Sequence, residues 1–380
     1  MSTTAPEDVP VGTTDTPTDA PAAAPAPVPA EAPVVESVRP TRSATLDDRL
    51  TLVGSAFAAL ATTWVVYSNL FPFTGTVGFA VTAYVIFMAF YAGLSSLTRP
   101  WPVVKDRLMT TVVCLPPALI ALALISMLVS LVVKATPVLV HANFFTQDMS
   151  GVKPTDAYSM GGIVHAIVGT LIEVAIAVGI ALPLGITAAL YMSEVGGRGA
   201  RMVRTVVEAM TALPSIVAGL FIYTVVIIGL GLQPSGLCAA LALSVMALPI
   251  MARASDVVLR VVPSGLREAS YALGAGRLQT VWRVVLPTAR PGLATALILG
   301  IARVVGETSP LLLTSGATNF FNANPAHNPM TSLPLYVFTA VKSGEPTFEA
   351  RGYAAATVLL VVVLTLFLFA RMAAKQRSTR

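Results

Sequence analysis

An arginine and a glutamate, Arg303 and Glu307, stand four residues apart inside an otherwise apolar run of this 380-residue chain. On an α-helix that spacing puts both side chains on one face, where they can pair. A charge at the bilayer centre costs roughly 2.5–3.5 kcal/mol on insertion scales, so such side chains usually face a partner or a water-filled cavity. The planar guanidinium of Arg303 also suits an oxyanion. The residues alone leave open a structural ion pair or a charge on an anion pathway.

Neighbouring polar residues extend this candidate pathway. Thr308 and Ser309 follow Glu307 directly, and Pro310 removes a backbone donor, so we expect the helix to open there and expose two hydroxyl groups. Glu173 is an isolated acid in another apolar run, and we expect it either to pair with Arg303 or to mark the same cavity. The predicted pathway residues are Arg303, Glu307, Thr308 and Glu173.

A second candidate site lies in a basic segment between two apolar runs, residues 254–290. Apolar residues after Ser264 recur near helical spacing, Ser264 can cap the resulting helix, and Gly274 interrupts it. A second short helix is expected over 278–286, ended by Pro287. Such a pair of helices would fit a partner's groove, but an amphipathic helix lying on lipid would look the same. Physical reasoning leaves both interpretations open.

Long apolar helices must position these residues. Hydrophobic residues form 55% of the chain and charged residues 11%, with a mean hydropathy of +0.77, whereas soluble domains carry about 25% charged residues. A bilayer span needs about 20 apolar residues, and in lipid it must be helical because its backbone groups have to bond internally. We therefore predict an all-α integral membrane protein with about eight spans. The apolar runs are about 50–71, 77–97, 108–133, 163–192, 209–232, 236–252, 291–314 and 352–370.

The predicted spans divide the chain into three regions. Residues 1–38 contain no Lys or Arg and are rich in Pro and Ala, which predicts a disordered cytoplasmic tail over 1–48. Residues 49–107 are predicted to be a peripheral hairpin of two spans. Residues 108–375 are predicted to be a six-span core that holds the unusual polar features, and its small residues, among them Gly169, Gly179 and Gly219, favour close helix packing.

The basic residues indicate orientation. They cluster before the first and third predicted spans, after the fourth, within 254–290 and after the last. With eight crossings these segments share one side, and an excess of Lys and Arg marks the cytoplasm, so both termini are predicted to be cytoplasmic. The net charge of +5 is therefore explained by topology rather than by nucleic acid. Neither Cys114 nor Cys238 has a metal-ligand neighbour in the sequence, and we expect no metal and no cofactor.

Seven residues of segment 254–290 keep the spacing of a known signature: E-A-A, three residues, G, nine residues, I, one residue, L-P. They are Glu268, Ala269, Ser270, Gly274, Val284, Leu286 and Pro287. The segment thus resembles the EAA loop of ABC importer permeases, with serine and valine at two positions. The resemblance implies a coupling helix that seats in a separate ATPase subunit. The chain lacks the motif G-x-x-x-x-G-K-[ST], so we expect a transport subunit that is not itself an enzyme.

Segments 161–194, 212–221, 302–314 and 328–338 look like the PstA permeases of phosphate ABC importers. The run that follows Arg303 discriminates best, because it contains the Arg–Glu pair. This resemblance implies a six-span permease core that carries inorganic phosphate across the plasma or inner membrane of a prokaryote. It also implies three kinds of partner besides membrane lipid: a PstC-type sister permease, a PstB-type ATPase dimer and a PstS-type phosphate-binding protein.

Two other functions stay open. A permease for another oxyanion, such as sulfate, molybdate or phosphonate, would share the loop but is expected to differ around Arg303 and in 328–338. A self-sufficient secondary transporter would need no docking loop and typically shows inverted repeats. No convincing repeat is visible in the sequence.

Overall fold

The computed structural model describes residues 46–70 and 75–375. The predicted disordered tail, 1–48, lies outside these residues except for its last three positions. The chain divides into two compact units, Met1–Leu115 and Pro116–Arg380.

The described part of the first unit is a pair of packed helices followed by the start of a third. Helix α1, Leu46–Val65, continues as a π-helical segment, Val66–Leu70, and packs against α2, Thr76–Thr98. Helix α3, Trp101–Leu139, begins in this unit. Asp48 accepts a hydrogen bond from Arg99 at 3.0 Å and also forms an ion pair with Arg107. These contacts tie the start of α1 to the end of α2 and to the first turns of α3.

The second unit contains the remaining helices and three further segments where the backbone widens into π-helical turns. The helices are α4 (Asn143–Thr146), α5 (Val164–Leu190), α6 (Gly197–Thr211), α7 (Ser215–Ile222), α8 (Gly236–Val261), α9 (Ser264–Ala272), α10 (Arg277–Thr280), α11 (Leu286–Val305), α12 (Leu311–Thr314), α13 (Leu333–Lys342) and α14 (Pro346–Lys375). Tyr191–Val195 extends α5, and Tyr223–Ile228 extends α7. A third π-helical segment, Val281–Val285, joins α10 to α11.

Helices α5 and α8 pack along each other at the centre of this unit, and α11 and α14 pack against them. Small residues permit the close approach: a Cβ atom on Gly185 would lie 3.1 Å from the backbone nitrogen of Ala252. Ala177 and Ala247 are fully buried in the same contact. This core is the frame on which both candidate sites are built.

The membrane-spanning helices agree with the predicted architecture, except in the segments that contain Pro214 and Pro287. Seven helices among the described residues are long and apolar enough to cross a bilayer, and an eighth candidate, α6 followed by α7, is bent by 105°. The sequence predicted one span over 209–232, bent at Pro214, and not a break of this size. The chain breaks there because Pro214 has no backbone N–H and disfavours a helical conformation in the residue before it.

The prediction that Pro287 ends a short helix is wrong. The chain stays helical from Arg277 to Val305, with Pro287 in the first turn of α11. The π-helical segment Val281–Val285 precedes it, so the turn that carries the proline is already wider than an α-helical turn. The part of segment 254–290 from Arg277 onward is therefore the start of a membrane-spanning helix.

Candidate functional site

Arg303 and Glu307 form the predicted ion pair, but at the end of a helix rather than in its middle. Arg303 lies in the last turn of α11, which ends at Val305. Gly306 leaves the helix with φ −93° and ψ 1°, and the Glu307 N–H donates to the Val304 carbonyl at 3.1 Å. The chain resumes as α12 after Pro310, so the pair spans a helix break, as the proline suggested.

The two partners of this ion pair differ in exposure. The Glu307 side chain is 7% exposed, whereas that of Arg303 is 51% exposed. Glu307 is therefore a buried anchor, and it holds a guanidinium whose other face is open. Thr308 is half-buried beside the pair, and its carbonyl accepts hydrogen bonds from the N–H groups of Leu311 and Leu312 at 3.1 and 3.2 Å. The arrangement can present the positive charge of Arg303 to an anion, while the carboxylate of Glu307 limits how tightly that anion is held.

Helix α7 packs against the segment between α11 and α12, where the helix is broken. A Cβ atom on Gly219 would lie 2.6 Å from the Pro310 Cα, so only glycine permits this approach. Pro310 is buried there, and Leu311 is only 2% exposed. The predicted small-residue contact is confirmed for Gly219 but not for Gly179, whose Cβ would meet no atom within 4 Å.

Glu173 does not take part in this ion pair. It is fully buried in α5, and no ion pair between it and Arg303 occurs among the described residues. Neither carboxylate oxygen has a hydrogen-bond partner in the part of the chain that the structure describes. Nearby on α5, the Thr170 hydroxyl accepts from the Leu333 N–H at 2.7 Å, so this stretch of α5 packs against the start of α13. Glu173 is therefore a buried side chain rather than an open binding group.

The second candidate site is the coupling loop, here the residues from α9 to Pro287. Helix α9 forms as predicted, but Ser264 is its first residue and its side chain makes no capping bond; Pro263 precedes it instead. Gly274 adopts φ +82°, the left-handed conformation expected for a glycine that ends a helix. Its N–H donates to the Tyr271 carbonyl at 2.9 Å.

The signature residues of the coupling loop have two kinds of environment. Glu268 and Ala269 are exposed on α9. Ser270 is half-buried, and its hydroxyl lies 2.9 Å from that of Thr280, which links α9 to α10. Leu286 packs into a buried apolar cluster around Val285, and Pro287 is half-buried. The first two residues can therefore meet a partner, whereas the others hold the loop in shape.

One ion pair of this loop was not predicted. Arg267 on α9 contacts Glu194 in the π-helical segment after α5, with its Nη2 atom 2.9 Å from the carboxylate. The sequence analysis treated Arg267 only as one of many basic residues that indicate orientation. The two residues are far apart in the chain, so no local spacing rule links them.

Comparisons with known proteins agree with these features. Residues 181–380 match the family described as "Binding-protein-dependent transport system inner membrane component". The chain is 41% identical over 233 residues to the phosphate transport system permease protein PstA 1 of Mycobacterium tuberculosis (strain CDC 1551 / Oshkosh), covering 61% of this chain and 76% of that protein. It is 37% identical over 253 residues to PstA of Mycobacterium leprae (strain TN), covering 66% and 83%.

A solved structure supports the fold. A chain of a bacterial alginate ABC transporter, solved in complex with an alginate pentasaccharide-bound periplasmic protein, is similar with a TM-score of 0.55. The likeness covers 74% of the present chain and 99% of that one at 17% identity. At this identity the likeness concerns the arrangement of helices and not the cargo.

Proposed function

Because the chain belongs to the family of binding-protein-dependent transport system inner membrane components, we propose that it is the permease subunit of an ATP-driven phosphate importer. The identity to PstA permeases of two mycobacteria supports phosphate as the cargo. The subunit is a transport component and not an enzyme, and it is embedded in the membrane through multiple helices. We further propose that it resides in the plasma or inner membrane with cytoplasmic termini, as the basic loops suggest.

The observation that carries the proposal is the half-exposed Arg303 held by the buried Glu307 at the break after α11. An arginine fork binds phosphate oxygens through charge-assisted hydrogen bonds. Glu307 orients this fork and neutralises part of its charge, so that phosphate is admitted and then released. Thr308 adds a hydroxyl group to the same place. Of the two roles expected for Glu173, pairing with Arg303 is not seen among the described residues, so this proposal keeps the other: a buried acid of α5 beside the pathway.

In this proposal the coupling loop transmits the motion of the ATPase to the permease. The exposed Glu268 and Ala269 of α9 seat in a groove of a PstB-type ATPase subunit, and Gly274 shapes the tip. A PstC-type sister permease completes the pathway, and a PstS-type binding protein delivers phosphate to the outer face. ATP shifts the complex between inward-open and outward-open states because it binds those states with different affinity.

Competition for uptake tests the cargo. Proteoliposomes that contain the permease, the sister permease and the ATPase, with binding protein outside and ATP inside, should take up radiolabelled phosphate. An excess of unlabelled phosphate should abolish this uptake, while sulfate, molybdate and phosphonate should leave it intact. Uptake of one of those anions in place of phosphate would assign the chain to another oxyanion importer. Phosphate uptake by the permeases without the ATPase would instead favour a secondary transporter.

A further inference from the structure

Arg267 joins three elements at the base of the coupling loop. Its Nε and Nη2 atoms donate to one carboxylate oxygen of Glu194 at 3.2 and 2.9 Å. Its Nη1 donates to the Val262 carbonyl at 2.7 Å, and Nη2 also donates to the Leu259 carbonyl at 2.9 Å. One guanidinium on α9 thus binds both the end of α8 and the extension of α5.

This contact is shielded from water. The Glu194 side chain is 9% exposed and that of Arg267 is 20% exposed. An ion pair in such surroundings is screened less than one on an open surface, and its several hydrogen bonds fix one geometry. A second arginine reinforces it, because Arg277 donates to the Val195 carbonyl at 3.4 Å.

Apolar packing does not hold α9 in place. None of the nine residues of α9 is buried, so this helix has no apolar anchor of its own. Two residues, Val262 and Pro263, connect it to α8, whereas nothing in the covalent chain joins it directly to α5. The Arg267–Glu194 contact is the salt bridge by which α9 reaches α5 among the described residues.

We infer that Arg267 and Glu194 form a clamp that makes α5 move with the coupling helix. The inference rests on the proposed function, since a force on α9 presupposes a docked ATPase. Helix α5 packs along α8 and also contacts α11, which carries Arg303. The clamp thereby gives the ATPase a second route to the anion pathway, besides the direct continuation of α9 into α8. Both residues are positioning residues, and neither touches the anion.

A distance measurement tests the clamp without reference to the cargo. In a variant of the full complex lacking Cys114 and Cys238, spin labels are placed at Gly265 on α9 and Val195 after α5, both exposed. With the clamp intact, the distance between labels should stay the same in the nucleotide-free and ATP-trapped complexes. With Glu194→Ala it should differ between the two states or broaden. An unchanged, narrow distance in that variant would overturn the inference.

Transport per ATP hydrolysed is the second readout. Glu194→Ala should leave the ATPase bound yet lower phosphate transported per ATP by about fivefold or more, the lower range of typical coupling between sites. Glu194→Gln, which keeps an acceptor oxygen, should lose less. The matched control is Arg260→Ala, which breaks the Arg260–Asp256 pair at 3.1 Å within α8 and should keep the wild-type ratio.

Cross-linking distinguishes a clamp, which makes α5 move with α9, from a contact that only contributes locally to folding. In the double variant Glu194→Cys/Arg267→Cys, joining the two side chains with a short bifunctional reagent should restore the transport ratio that Glu194→Ala loses. A ratio that stays low after complete cross-linking, or a normal ratio in Glu194→Ala itself, would contradict the clamp. If the wild-type complex carries no phosphate but the label distances behave as predicted, the proposed cargo fails while the clamp stands.

Discussion

Replacing Arg303 by alanine separates its two roles, holding the helix break together and guiding the anion. Breaking a fully buried ion pair by removing one partner costs about 3–5 kcal/mol, because the other charge stays buried and unpaired. Arg303 is half exposed, so water offsets part of this cost and we expect a loss of about 1–2 kcal/mol. The double variant Arg303→Ala/Glu307→Gln removes the unpaired charge as well and should recover most of that stability.

Phosphate uptake should not recover in the double variant. A hydrogen bond to a charged group contributes about 1.5–3 kcal/mol, which corresponds to roughly a tenfold to hundredfold loss of uptake at limiting phosphate. Arg303→Lys keeps the charge but loses the planar fork, and should give an intermediate rate. Thermal unfolding of the purified complex reports stability, and proteoliposome uptake reports function. Normal uptake in the double variant would refute a pathway role for Arg303 and leave the structural ion pair.

Three further substitutions test the coupling loop and the helix packing. Glu268→Arg should leave the permease inserted but lower its association with the ATPase, whereas Glu208→Arg, another exposed acid, should not; copurification measures this. Gly274→Val forces a β-branched residue to φ +82°, a cost of roughly 1–2 kcal/mol, and should also reduce copurification. Gly169→Ala places a Cβ 2.1 Å from a carbonyl oxygen and should lower thermal stability by about 1–3 kcal/mol. Gly179→Ala on the same helix meets nothing within 4 Å and should be neutral or slightly stabilising.

Local rules predicted the helices and the ion pair well. Apolar runs of bilayer length predicted the long spans, and the spacing of four residues predicted that Arg303 and Glu307 pair. The end of α11 at Val305 was less visible, because the predicted apolar run continued to residue 314 and the proline that signals the break, Pro310, comes after Gly306. The sharp bend before Pro214 was predicted only as a kink, since a proline does not specify the size of an angle.

Contacts between distant segments could not be predicted. The Arg267–Glu194 pair depends on how α9 folds back beside the end of α5, and periodicity carries no information about that arrangement. The same limit applies to Glu173, which the sequence predicted either to pair with Arg303 or to mark the same cavity. No ion pair with Arg303 occurs among the described residues, and Glu173 is buried in α5, where the helix faces the start of α13. Residue type thus indicated which side chains were unusual, and tertiary packing determined which of them meet.

Simultaneous measurement of phosphate uptake and ATP hydrolysis in one proteoliposome preparation tests the central claim most directly. The wild-type complex should accumulate phosphate only when the ATPase hydrolyses ATP, and Glu268→Arg should abolish uptake while the permease remains inserted. Uptake that continues with a hydrolysis-deficient ATPase, or that is unaffected by Glu268→Arg with ATPase still bound, would contradict an ATP-driven permease that is coupled through this loop.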